Sequence, residues 1–234
     1  MKAMLLRIGI DSTAGGALGP IFDDGSFEYI PIPEGWESEE QKTYRDIIGQ
    51  KGKPLSEFLP NAIADFVVHY DPEFVTCTYG DPTSPKRSRL LKLEKNDLLV
   101  FYAGLDPYKN AKYERGLYII GYFLVDAVID FNKLTDIEID NYYNVYRNAA
   151  HLKRNKSIGD LVMVVGDKNQ SKLLDKAIKI SQLRNNIKGS RYHIVSKEME
   201  RLLGISGSIQ RSSTPRIINE EMYLKNLRAL LSLD

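Results

Sequence analysis

The stretch NDLLVFYAGLDPYKNAKYERGLYIIGYFLVDAVIDF, residues 96–131, decides the fold class. Residues 97–104 are apolar, β-branched and aromatic, and they run through a polar, Tyr- and Lys-rich loop into a second such run at 116–131, so the pair reads as a hairpin with a long tip. Asp126 interrupts the second run and its β-branched content is high, which predicts a long strand and not a membrane-spanning helix. Gly121 in its middle predicts a bend or bulge there.

Working outward on the N-terminal side, residues 4–11 (MLLRIGID) read as a buried strand running into the Gly-rich loop Ser12-Thr13-Ala14-Gly15-Gly16. Residues 27–33 alternate as an edge strand whose Pro31 and Pro33 cannot donate to a ladder. Residues 63–70 read as a short amphipathic helix or strand, residues 74–79 as a strand, and residues 80–87 as turn chemistry throughout. On the C-terminal side, residues 136–147 read as a helix with Asp136 as N-cap, and 160–165 as a strand. Residues 171–182 have helical spacing of apolar positions; Ser196 caps a helix to 203, and Asn219 caps a last one to 231. The expected fold is α+β: a mixed, strongly bent or barrel-like sheet with flanking helices and a helical, basic C-terminal part. Residues 1–234 are expected to form a single domain, with a β-rich core at 1–135 and a helix-rich basic part at 136–234.

Composition bounds the function. With 234 residues, 43% hydrophobic and 27% charged, the chain is an ordinary globular protein and neither disordered nor membrane-embedded. The single Cys77 excludes an internal disulfide framework and any paired-cysteine metal site. No secretory signal is evident at the start, so a cytoplasmic protein is expected. Charge is distributed unevenly: residues 1–81 carry 6 Lys/Arg against 14 Asp/Glu, whereas residues 147–216 carry 15 against 5. A basic segment beside an acidic one suits either a polyanion-binding surface facing an acidic patch or mutual neutralisation across an interface.

Candidate chemistry sits where polar residues leave apolar strands. Asp11, Ser12 and Thr13 end the first strand, where ligands meet open sheets, and Gly15 and Gly16 allow close approach of a phosphate to backbone N–H groups. Asp81 precedes a proline-stiffened turn carrying Lys86 and Arg87, donors suited to phosphate. His151 lies among cations that favour its neutral form, able to act as a base; His69 and His193 lie in apolar surroundings and read as structural. Arg211, Ser212 and Arg216 sit in a hydroxyl-rich loop with many donors and little acceptor charge. Tyr102 and the neighbouring tyrosines alternate with cations, as base stacking beside phosphate neutralisation requires. Should a metal take part, carboxylate ligands favour Mg²⁺ or Mn²⁺.

Taken together, RIGIDSTAGGALGPIF with FEYIPIPE, DPTSPKR, NDLLVFYAGLDPY, YIIGYFLV, VVGD and GSIQRSSTPR resemble the third group of the nucleotide-modification-associated domain family, over residues 6–216. The resemblance implies a part in base hypermodification of DNA, with DNA or a nucleotide as partner alongside other base-modification enzymes. The polar positions that match are Asp11, Ser12, Thr13, Asp81, Lys86, Arg87, Tyr102, Arg211, Ser212 and Arg216. The expected activity is group transfer onto a base or nucleotide, with Asp11, Asp81 and His151 catalytic and a Lys/Arg phosphate clamp facing them. Residues 96–102 followed by 118–123 also look like the strand pair of PUA- and EVE-type barrels, which implies as the alternative a non-catalytic reader of modified bases.

Overall fold

The computed structural model describes residues 1–109, 111–154, 159–185 and 189–233; Lys156 and Lys188 of the basic segment lie outside them. In chain order the strands are β1 (Ala3–Arg7), β2 (Gly19–Ile21), β3 (Ile32–Pro33), β4 (Val68–His69), β5 (Thr78–Asp81), β6 (Leu98–Pro107), β7 (Gly116–Asp130), β8 (Val162–Gly166), β9 (Lys172–Lys179), β10 (Ser181–Asn185), β11 (Arg191–Val195) and β12 (Arg216–Ile218). The helices are α1 (Ser84–Leu90), α2 (Asp136–Val145), α3 (Lys197–Leu203) and α4 (Glu221–Leu230).

The β6–β7 hairpin is the axis of an eight-stranded mixed sheet of order β12-β1-β6-β7-β8-β5, with β2 added beside β6 and β9 beside β7. β1 and β2 run parallel to β6, and the other pairings in this sheet are antiparallel. Near its start β7 pairs with β6 and β9, and beyond Val125 it pairs with β8 alone. Register breaks between Ile119 and Gly121 and between Val125 and Ala127 kink it. Gly121 is required there, because a Cβ would stand 2.8 Å from the Phe74 ring and 2.9 Å from the Lys172 carbonyl oxygen. Leu98–Phe101 are wholly buried, and Phe74, Phe101 and Phe123 meet edge to face, each pair adding about 0.5–1.5 kcal/mol beyond its burial.

The sheet is bent but open, which corrects the barrel-like alternative. The outer edge of β5 exchanges backbone hydrogen bonds with its own preceding turn, between Glu73 and Thr78, and so does not close on β12. Residues 171–182 are not a helix: β9 pairs along β7, and tertiary pairing outweighs the helical spacing of Leu173, Leu174, Ala177 and Ile178. Residues 74–77 form a turn and not a strand, because the Glu73 carboxylate accepts from the N–H groups of Val75 and Thr76. Turn chemistry at 80–87 gives way after Thr83 to α1, which Pro85 is suited to start. Thr135, in a capping box with Glu138, starts α2 in place of Asp136, and the last helix begins at Glu221, later than Asn219 implied. The basic C-terminal part carries α2, α3 and α4 but also β8 to β12.

Candidate functional site

β1 and β6 run parallel, and the chain leaving β1 at Arg7 enters the loop that carries Asp11. Asp11 closes this loop on itself. Its Oδ1 accepts from the N–H groups of Thr13 (2.9 Å) and Ala14 (3.0 Å) and from Thr13 Oγ1 (2.7 Å), while its main-chain oxygen accepts from the Gly16 N–H (2.8 Å). In place of an open nest the loop forms an Asx turn in which Asp11 takes up the N–H groups of Thr13, Ala14 and Gly16. Gly15, at φ +97°, packs against Ile10, where a Cβ would come within 2.5 Å.

The other carboxylate oxygen of Asp11 reaches 200 residues along the chain. Arg211 Nε donates to Oδ2 at 2.6 Å, Arg211 Nη2 donates to the Gly9 carbonyl, and Arg7 Nη2 stands 3.6 Å from Oδ2. Burial alone would raise the Asp11 carboxyl, but hydrogen bonds from Arg211 and Thr13 overcome it and bring the pKa down to about 2. Burial, helped by the charge of Arg211, brings the Arg7 guanidinium down to about 10, so it remains a cation at neutral pH. Its Nε and Nη1 are buried and have no hydrogen-bond partner. Gly104 makes the space for this side chain, since a Cβ there would stand 2.7 Å from Arg7 Nη2.

Arg7 and Arg211 form a wall common to two cavities. The first, of about 670 Å³, also meets Asp11, Ser12, Thr13, Gly16, Arg115, Arg191 and Ser212. Four guanidiniums, one carboxylate and several hydroxyls line it; Arg115 is paired with Asp106 at 2.8 Å, and Arg7, Arg191 and Arg211 still outnumber Asp11, a donor set suited to phosphate.

The second cavity, of about 450 Å³, meets Asp81, Lys86, His69, Asp71, His151 and Trp36. Asp81 ends β5 at its rim: Oδ2 pairs with Lys86 Nζ at 2.8 Å and accepts from Tyr79 Oη at 3.2 Å, and Oδ1 accepts from the Thr83 N–H at 2.8 Å. Burial would raise this carboxyl; Lys86 and Thr83 hold it below its ordinary value, so it is ionised. Behind it, His69 Nδ1 donates to Glu34 Oε2 at 2.7 Å, and Arg154 Nε and Nη2 donate to the same carboxylate. His69 Nε2 faces His151 Nε2 at 3.3 Å, and Asp71 Oδ2 stands 3.4 Å from the same nitrogen of His151.

Of the residues singled out in the sequence, Asp11, Ser12, Thr13, Gly16, Arg211 and Ser212 meet at the first cavity, and Asp81, Lys86 and His151 at the second. Four lie elsewhere: Gly15, packed against Ile10, and three others. Arg87 pairs with Asp130 at 2.7 Å, Arg216 Nη2 donates to the Ser208 carbonyl at 2.6 Å, and Tyr102 is buried with its hydroxyl on the Ile209 carbonyl at 3.2 Å. Tyr102 therefore offers no face for a base to stack on. The carboxylates expected to suit Mg²⁺ or Mn²⁺, Asp11 and Asp81, are each occupied by a cationic side chain.

Arg7 and Arg191 at the first cavity and Asp71 and Arg154 at the second do not stand out as site residues in the sequence, Arg115 stands out only as a cation among the hairpin tyrosines, and His193 and His69, which read as structural, line the first and the second cavity. Two signals were available: Arg7 is a lone charge inside an apolar strand, and His69 and Asp71 stand two apart in one segment.

With that geometry in place, the family model for nucleotide modification associated domain 3 matches residues 2–210. The chain belongs to the nucleotide modification associated domain 3 family. Membership gives it a role in nucleotide modification, with nucleotides or DNA as the substrate class. No curated protein and no solved structure matches the chain. Among the described residues, no helix is long and apolar enough to cross a membrane.

Proposed function

We propose that the protein transfers a group onto a base, in DNA or in a nucleotide, binding phosphate in the first cavity and carrying out the transfer in the second. The observation that carries this reading is the shared wall: Arg7 and Arg211 border both chambers, and Asp11 holds them there. A phosphate on the cationic side would then touch the same two guanidiniums that line the chamber of the ionised Asp81 and its Lys86. Preorganised charges of this kind stabilise charge that develops in a transfer step. Burial of Tyr102 and Tyr118 takes two of the hairpin's tyrosines out of reach of a base, which weighs against a purely reading module.

Nucleoside mass spectrometry tests the reading, on digested DNA from cells that express the wild-type chain or Asp81→Asn together with neighbouring base-modification enzymes. A nucleoside of shifted mass is expected with wild type and not with Asp81→Asn, whose folding is checked by circular dichroism. Identical nucleosides with and without the wild-type protein would overturn it, and preferential binding to modified DNA would then make the protein a reader.

A further inference from the structure

Two histidines and one aspartate converge in the second cavity from segments that the sequence does not place together. His69 ends β4, Asp71 follows two residues later, and His151 comes from the 3-10 turn Ala150–Lys153. We propose that Nε2 of His69, Nε2 of His151 and a carboxylate oxygen of Asp71 bind one divalent transition-metal ion. The site deepens the functional reading of the same cavity, although binding itself does not depend on that reading.

The spacing fits a metal. Ligand atoms about 2.1 Å from a tetrahedral ion stand about 3.4 Å from one another. The two imidazole nitrogens are 3.3 Å apart, Asp71 Oδ2 is 3.4 Å from His151 Nε2, and all three ligand atoms lie within 4.8 Å of one another. The surroundings orient each ligand. Glu34 accepts from His69 Nδ1 at 2.7 Å, which leaves Nε2 as the free lone pair, a carboxylate–histidine arrangement common behind metal ligands. The Gly80 N–H donates to Asp71 Oδ1 at 3.1 Å and fixes the carboxylate. Gly80 also makes room for the His151 ring, since a Cβ there would lie 2.7 Å from its Cδ2.

Two imidazoles and one carboxylate suit Zn²⁺, Fe²⁺, Co²⁺ or Ni²⁺ better than Mg²⁺ or Ca²⁺. Three protein ligands leave a coordination position open, as in metal sites that act on a substrate. The loaded site requires one adjustment. Arg154 Nη1 lies 3.3 Å from His151 Nδ1 and Arg154 Nη2 3.0 Å from His69 Nδ1, and both ring nitrogens carry protons once the Nε2 atoms are coordinated, so the guanidinium must shift away from the two rings while keeping Glu34.

The test is titration of the full chain, stripped with a chelator, with CoCl₂ alone. One Co²⁺ per chain is expected, with visible d–d absorption, quenching of the single Trp36 that lines the cavity, and displacement by Zn²⁺. His151→Ala and Asp71→Asn should each lose the absorption band, and Glu34→Gln should bind about 10- to 100-fold more weakly. The His151 side chain is 11% exposed in its 3-10 turn, so the closer-sized His151→Gln, checked for folding by circular dichroism, carries the test if His151→Ala or Asp71→Asn does not fold. Wild-type protein that binds no stoichiometric cobalt, or His151→Ala with an unchanged spectrum and affinity, would overturn the site. Cobalt binding without a new nucleoside would remove the functional reading and keep the site; a new nucleoside from a chain that binds no metal would do the reverse.

Discussion

The two cavities share a wall and differ in how their charges are matched. In the first, Arg115 is paired with Asp106, but Arg191 and the shared Arg7 and Arg211 face the single lining carboxylate Asp11, and two nitrogens of Arg7 are buried without a hydrogen-bond partner. In the second, Asp81 is matched by Lys86, and Arg154 by Glu34 behind the lining. A surplus of one sign is a state that a ligand of the other sign completes, whereas matched pairs hold side chains in fixed directions. The contrast separates a chamber arranged for binding from one arranged for positioning.

Asp11→Asn should produce the largest effect, because it removes the one carboxylate that Arg7 and Arg211 have in common. Leaving buried cations unpaired should cost about 2–4 kcal/mol of stability, read as a lower urea midpoint at unchanged slope. Affinity for inorganic pyrophosphate, measured by calorimetry, should move the opposite way and tighten, since the cavity gains a full positive charge. If stability and anion affinity fell together, Asp11 would be a ligand-shaping residue and the surplus-charge account of the first cavity would fail.

Acid should reveal the same pair more gently. The Asp11 carboxyl lies near 2 in the folded protein against an ordinary 3.8, so its contribution is fully present above about pH 4. It is lost as pH falls through the folded value, because the unfolded chain takes up the proton first. With solvent screening the loss is about 1 kcal/mol. Stability measured by urea titration between pH 4 and pH 2 should fall less steeply in Asp11→Asn than in wild type. Equal slopes would mean that another carboxylate dominates the acid limb.

The fold was more legible than the site. The hairpin at residues 96–131 could be read because strand period and apolar content are local properties, and Gly121 marked its kink for the same reason. β9 was misread because its apolar spacing fits a helix, while its pairing with β7 is set by residues some fifty positions earlier. Asp11 and Arg211 each stood out by local chemistry, but their ion pair spans a separation that no spacing rule covers. Arg7 was hidden by its apolar neighbours, which were taken to speak for the whole strand. His69 was set aside for the same apolar context, and only the fold places it against His151, 82 residues away.

Tyr102→Phe should give the smallest effect and still separates the two cavities from the hairpin core. The Tyr102 hydroxyl donates to the Ile209 carbonyl, and its ring is buried within the sheet core and lines neither chamber. Losing one buried hydrogen bond should cost about 1 kcal/mol, seen as a slightly lower thermal midpoint. Pyrophosphate and cobalt affinities should stay unchanged, because the ring touches neither ligand's seat. A large loss of nucleotide affinity with little loss of stability would instead make Tyr102 part of a base-holding surface, and would return the hairpin to the role that its interleaved tyrosines and lysines first suggested.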